Sequence, residues 1–177
     1  MRFILFSAVL LLTVPLRSDS MGSPSEINFG HDLGGPFITA KELEAWAESR
    51  NLDLVPDAPL KNIQDYEAVS VPVTGLEFTL SVPYRGRNYL YLDMVTFRER
   101  ENPADIRLQW MDIFVNGRMM KTVYLGRGAY PENPLRITID RENAPDGKTV
   151  VFLRPSPGDS SFALWDAFTS RYTDGNN

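Results

Sequence analysis

An Asn-Gly dipeptide at 116–117 sits between two apolar runs, in the stretch Asp105 to Gly126 (DIRLQWMDIFVNGRMMKTVYLG). Both residues of a two-residue type I′ turn need φ > 0, and Asn-Gly suits that demand best, so the stretch predicts a β-hairpin. Such a turn also sets the register. Val115 faces Arg118, Phe114 faces Met119, Asp112 faces Lys121, Trp110 faces Val123 and Leu108 faces Leu125. One face then carries Ile106, Leu108, Trp110, Phe114, Met119, Val123 and Leu125, interrupted by an Asp112–Lys121 pair whose opposite charges suit a cross-strand position. The other carries Met111, Ile113, Val115, Met120 and Tyr124. A hairpin apolar on both sides lies inside a sandwich or offers one side to a partner. The longer and more continuous Trp110 side is the expected core side. The Met111 side is expected either to lie under a helix or to meet a partner.

The rest of the chain supplies strands of the same kind. Val69, Val71 and Val73 alternate with small or polar residues, and Leu76, Phe78, Leu80 and Val82 alternate with Glu77, Thr79 and Ser81. Residues 88–98 (NYLYLDMVTFR) are apolar on both faces, as a central strand would be. Leu135, Ile137 and Ile139 alternate with Arg136, Thr138 and Asp140, a half-exposed strand. Thr149 to Arg154 and Phe162 to Tyr172 are the last two. Pro/Gly-rich turns separate them at short spacing, which points to a sandwich or barrel rather than βαβ units. One helix is expected. Thr39-Ala-Lys-Glu42 fits a capping box, and Leu43, Trp46 and Ala47 recur at helical spacing before the pattern fades at Asn51. Pro56 and Pro59 follow it, and an irregular crossing runs on to Tyr66.

The expected fold is therefore mainly β: an antiparallel, jelly-roll-like β-sandwich of about eight strands with one short N-terminal helix. The expected division is a signal peptide over 1–20, an extended arm over 21–38, the sandwich with its helix over 39–172 and a loose tail over 173–177. Met1-Arg2 forms a positive n-region, Phe3 to Leu16 an apolar h-region, and Ser18-Asp19-Ser20 offers small residues for cleavage before Met21. That is signal-peptide architecture, and the run is short for a membrane span. An uncleaved anchor and a cytosolic start at Met21 are the competing readings. Export to the periplasm or outside the cell, with no stable membrane anchor after cleavage, is the expectation.

Charge and cysteine narrow the function classes. Lys+Arg number 18 and Asp+Glu 23. Residues 1–20 hold Arg2, Arg17 and Asp19, so beyond them acid exceeds base by 22 to 16. Interspersed acidic charge argues against nucleic acid and anionic membrane surfaces, which select basic footprints. With no cysteine, disulfides, thiol nucleophiles, cysteine zinc sites and a lipoprotein anchor are all excluded. The one histidine, His31, lies in a Gly-rich arm without convergent partners. No Gly-x-Ser-x-Gly elbow, Walker sequence or dinucleotide fingerprint is present.

Carboxylates and aromatics remain. Asp93, Asp112 and Asp166 each interrupt an apolar strand, and a buried carboxylate is costly unless paired. They serve as salt-bridge or hydrogen-bonded groups, or as the acid–base pair of a glycosidase. A structural calcium ion could use loop oxygens from Asp32, Asp159 and Asp166, though no EF-hand spacing supports one. No other cofactor, no metal ligands and no catalytic residue are expected. Tyr84, Arg85 and Arg87 in one loop, and Arg127 and Tyr130 in another, combine flat rings with guanidinium donors. They are candidate glycan or protein contacts, as are Met111, Met120 and Tyr124 on the second hairpin face. Trp110 and Trp165, mid-strand, read as core.

The segments YLYLDM (89–94), IFVNGRMMKTVYL (113–125) and FALWDAF (162–168) resemble the strand pattern of galactose-binding-like jelly rolls, the fold of many carbohydrate-binding modules. The resemblance covers roughly Val69 to Tyr172. It implies a sandwich in which an N-terminal strand pairs near a C-terminal one. A weaker resemblance is to the outer-layer (sheath) proteins of spirochaete periplasmic flagella, which are structural. The expected function is a non-catalytic, exported interaction module: a structural or assembly component of the periplasm or cell envelope that binds protein subunits, the apolar hairpin and its methionines being the motive. The alternative is a glycan-binding, lectin-like module, and the remote alternative a glycoside hydrolase.

Overall fold

A computed structural model describes residues 26–28, 37–55, 67–82, 86–100, 107–140, 144, 146–158 and 162–173. Among these residues twelve strands and one helix form. They are β1 (Glu26–Asn28), β2 (Phe37–Thr39), α1 (Ala40–Glu48), β3 (Leu52–Val55), β4 (Glu67–Ser70), β5 (Leu76–Ser81), β6 (Asn88–Met94), β7 (Thr96–Glu99), β8 (Gln109–Val115), β9 (Arg118–Leu125), β10 (Leu135–Ile139), β11 (Lys148–Pro155) and β12 (Ala163–Ser170). The larger sheet runs β10-β6-β12-β4-β2, with β1 also on β12. The smaller runs β5-β11-β8-β9, and β3 pairs β7 alone. Every pairing is antiparallel. The sandwich is as expected, with four more strands than eight.

The extra strands are short. β1, β2 and β3 span three or four residues each, too few to show a period of two. β1 lies in the segment read as an arm, and its pairing with β12 matches the N- to C-terminal pairing that the resemblance implies. β7 appears because the run 88–98 divides at Val95, whose amide donates to the carbonyl of Ala163 (3.0 Å), and β7 then leaves to pair β3. The strand drawn over Val69 to Val73 ends earlier. Pro72 accepts from the Gly75 amide (2.8 Å) in a turn, and Val73 stands in solvent.

Helix α1 begins one residue after Thr39 and ends before Asn51, whose φ of 56° is the left-handed exit common after helices. It does not cover the hairpin. Leu43 and Ala47 are buried, and the Trp46 ring packs on Phe97 of β7 at 4.9 Å. The Arg50 guanidinium lies over the same indole at 4.4 Å.

The two sheets enclose one apolar core. Leu90 and Leu92 of β6, Ala167 of β12 and Leu135, Ile137 and Ile139 of β10 face Phe78, Leu80, Val151, Leu153, Met111, Ile113 and Val115 from the smaller sheet. A side-chain hydrogen bond ties the sheets together at one edge. The Thr169 hydroxyl, buried on β12, donates to the Ser81 carbonyl on β5 (2.7 Å). The predicted one-sidedness of β5 and β10 is present in their alternating burial.

Candidate functional site

The outer face of the four-stranded sheet is the surface to which the sequence draws least attention, and a β-bulge creates it. The turn forms where expected, with Asn116 at φ 48° and Gly117 at φ 77°. Val115 pairs Arg118 and Phe114 pairs Met119. Then the register slips: Ile113 pairs Lys121, Asp112 pairs Thr122, Met111 pairs Val123, Trp110 pairs Tyr124 and Gln109 pairs Leu125. Met120 is the extra residue. Because side chains alternate with a period of two, one extra residue sends every later side chain of β9 to the other face.

The expected faces are thereby reversed. Met111, Ile113, Val115, Val123 and Leu125 now share one side and are buried in the core. Trp110 goes outward, 40% exposed, and Tyr124 stands opposite it, 48% exposed. The slip has a physical reason. In the regular register an Asp112–Lys121 pair would sit among the core candidates, where charge is costly. The bulge parts the two, putting Asp112 on the outer face and Lys121 opposite Ile113 on the edge strand β9.

Asp112 then finds other partners. It accepts from the Thr122 hydroxyl (2.7 Å) and from Nη2 of Arg154 on β11 (2.9 Å). The Arg154 hydrogen bond first, and that of Thr122 after it, hold the Asp112 carboxyl below its ordinary value against the opposing effect of burial. Lys121 instead pairs Glu132 at 2.9 Å. The Arg154 guanidinium also lies over the Phe114 ring at 4.7 Å, and Phe114 packs beside Phe152 at 6.0 Å. Phe152 is seated against Gly75: a Cβ there would stand 2.5 Å from its ring. At the far end of β8, the Ser156 amide donates to the Trp110 carbonyl (2.7 Å), and the Trp110 amide donates to the Ser156 hydroxyl (3.4 Å).

The face therefore reads in rows across the strands. Tyr124 and Trp110 form one, Thr122, Asp112 and Arg154 the next, and Met119, Phe114, Phe152 and Glu77 the third. Adjacent rows are two residues apart along a strand, roughly 6.5–7 Å. Aromatic rows thus flank a polar one. Rings of this kind stack on flat apolar faces, and the polar row donates and accepts hydrogen bonds.

Of the residues singled out from sequence, Tyr124 lies on this face. Met111 does not: it is fully buried, so its candidacy as a contact is corrected by the bulge. Met120, the bulge residue, is partly buried against the core. Tyr130 also packs against the core from its loop. Arg127 is exposed at φ 54° in the turn closed by mutual hydrogen bonds of Gly126 and Ala129. Arg87 is exposed and pairs Asp140 at 3.6 Å. Arg127, Tyr130 and Arg87 are not brought into the rows above. Tyr84 and Arg85 lie outside the described residues, as do His31, Asp32, Asp159 and the leader. The expectation that Trp110 is core is overturned, whereas Trp165 is buried as expected. Trp110, Arg154, Phe114 and Phe152 were missed as surface. The available signal was the charge pair that a regular hairpin would force among apolar residues.

Asp93 and Asp166 are paired directly across β6 and β12 and are fully buried, beside the stacked rings of Tyr91 and Phe168 (4.9 Å, 11°). A glycan has no access to either. Asp166 lies within a strand, not in a loop, so it does not fit the loop-oxygen calcium site that its sequence position allowed. Among the described residues no group of three or more His, Asp or Glu side chains gathers to hold a metal, and no helix is long and apolar enough to cross a membrane.

No family model matches the sequence, and no curated protein matches it. Solved structures share parts of its shape. One is a family GH115 4-O-methyl-α-glucuronidase with specificity for decorated arabinogalactans (TM-score 0.44, 9% identity), matched over 91% of this chain and 19% of its own length. A CBM36 carbohydrate-binding module in complex with calcium and xylotriose gives a TM-score of 0.34 at 11% identity, over 67% of this chain and 87% of its own. An exo-β-1,3-galactanase from Phanerochaete chrysosporium gives 0.35 at 13%, over 78% and 30%. Likenesses this distant carry nothing about a ligand to this chain.

Proposed function

We propose that the chain is a non-catalytic, exported glycan-binding module, and that its binding surface is the outer face of β5-β11-β8-β9. The observation that carries this is the cross-strand pair Trp110–Tyr124, two large rings left 40% and 48% exposed on a rigid sheet beside the hydrogen-bonding row Thr122–Asp112–Arg154. Sugars present apolar ring faces edged by hydroxyls, and an aromatic row beside a polar row answers both. The motive for a protein-binding assembly component was the two-sided apolar hairpin with Met111, Met119 and Met120, and of these Met111, with Ile113 and Val115 beside it, is core. Acid–base catalysis finds no support in Asp93 and Asp166, which solvent does not reach. Export rests on the signal-peptide pattern of residues 1–20, and N-terminal sequencing of the protein recovered outside the cytosol checks it.

A glycan array tests the reading. Binding should appear in the wild type and fall about tenfold or more in Trp110→Ala and in Tyr124→Ala, with Tyr130→Ala unaffected. One observation favours a second reading. Met119, opposite Phe114 on the same face, is 56% exposed, and methionine beside aromatics and arginine suits a protein contact. Stoichiometric capture of an envelope or extracellular protein, lost in Met119→Glu, together with a blank array, would establish that reading instead.

A further inference from the structure

The charges on the outer face are arranged in a way that restricts which glycan it takes. Arg154 stands in the row next to Trp110 and Tyr124, and its side chain is 56% exposed. One of its nitrogens is spent on Asp112 Oδ2, and its plane rests over the Phe114 ring. A guanidinium carries five N–H donors. The others find no protein acceptor among the described residues. Asp112, only 15% exposed at its side chain, has one oxygen on Arg154 and the other on Thr122. The middle of the face thus holds a donor-rich group whose positive charge is already balanced. Glu77, in the next row opposite Phe152, adds a second carboxylate, and the whole chain is acidic.

An acidic sugar brought to Arg154 would meet Asp112 a few ångströms away, and like charges at that distance repel. A hydroxyl pays no such penalty and accepts the remaining N–H groups. Building on the glycan-binding reading, we infer that the ligand is an uncharged glycan, and that Arg154, clamped between Asp112 and Phe114, is the residue that selects it by donating to hydroxyl groups. Thr122 and Asp112 are positioning residues: they hold the guanidinium in place and cancel its charge.

Affinity electrophoresis in gels containing soluble polysaccharides checks this directly. The neutral probes are a β-glucan, a xylan, a mannan and a galactan, and the acidic probe is polygalacturonate. At least one neutral polymer should retard the wild-type chain, polygalacturonate should not, and the retardation should change by less than about twofold when NaCl is raised from roughly 0.05 to 0.5 M. Arg154→Gln should lose about tenfold or more of the neutral binding, with Arg154→Lys nearly as weak because it lacks the planar fork. Asp112→Asn should acquire salt-sensitive retardation by polygalacturonate, since it releases the guanidinium charge. Melting curves confirm that each variant is folded; should Asp112→Asn unfold, Asp112→Thr, which also removes the carboxylate and suits a strand, takes its place. Wild-type retardation by polygalacturonate in preference to every neutral polymer would overturn the inference while leaving the glycan-binding reading intact. Absence of retardation by all five would remove both.

Discussion

Met111 and Tyr124 give the sharpest test of the bulge. A regular hairpin puts them on one face, so equal substitutions would act alike. The slipped register separates them, with Met111 fully buried in the core and Tyr124 48% exposed outside. Glutamine at each position makes the comparison. Met111→Gln is nearly isosteric, so cavity formation is small. It forfeits about 1.5–3 kcal/mol of apolar burial. It also places an amide without partners in the core, at about 1–3 kcal/mol. The sum, roughly 2.5–6 kcal/mol, is a large part of the 5–15 kcal/mol typical of a domain. Tyr124→Gln leaves its amide in water and gives up only the covered part of the ring, so about 1 kcal/mol is expected. Urea unfolding followed by circular dichroism reads both. With a slope of about 1–3 kcal/mol/M, the Met111→Gln midpoint should fall by about 1 M or more and that of Tyr124→Gln by well under half as much. Similar shifts for the two variants, large or small, would refute the slipped register and with it the platform on the outer face.

Two further outcomes follow from the same surface. The Asp112 carboxyl is held down chiefly by Arg154, so its contribution is present above the unfolded carboxylate pKa and is lost as pH falls through the folded value. Asp112→Asn should therefore be less stable than wild type at pH 7, by about 0.2–1 kcal/mol for a partly exposed pair, and the gap should close in acid; melting curves across pH read it. Gly75→Ala sets a side chain at φ 94° and against the Phe152 ring, so a loss of more than about 1 kcal/mol is expected, measured by the same urea series.

The glycan-binding proposal turns on exposure, which is why the buried aspartates matter as a contrast. Asp93 and Asp166 interrupt their strands in the sequence just as Asp112 does. The fold buries the first two opposite one another on the larger sheet and leaves the third at the surface with Arg154 and Thr122. Three similar residues in one-dimensional context thus acquire two different chemistries. Only Asp112 stands where a ligand could meet the group it positions.

Much of the architecture was legible from local chemistry. Period-two alternation marks β5 and β10, Asn116-Gly117 marks the hairpin turn, and the capping pattern at Thr39 places the start of α1. Strands of three or four residues were not legible, because so short a segment shows no period and forms only when a neighbour offers its edge. The faces of β8 and β9 were not legible either. A two-residue turn dictates pairing for only as long as both strands advance in step, and Met120 breaks that step, which takes Val123 and Leu125 into the core and parts Asp112 from Lys121. The sequence alone established that this chain is cysteine-free and acidic by composition and mainly β by its alternation and turns. Which of its aromatics are core and which are surface was decided by packing against the other sheet, because the free energy of burying Met111, Ile113, Val123 and Leu125 together outweighs the regularity of a single hairpin.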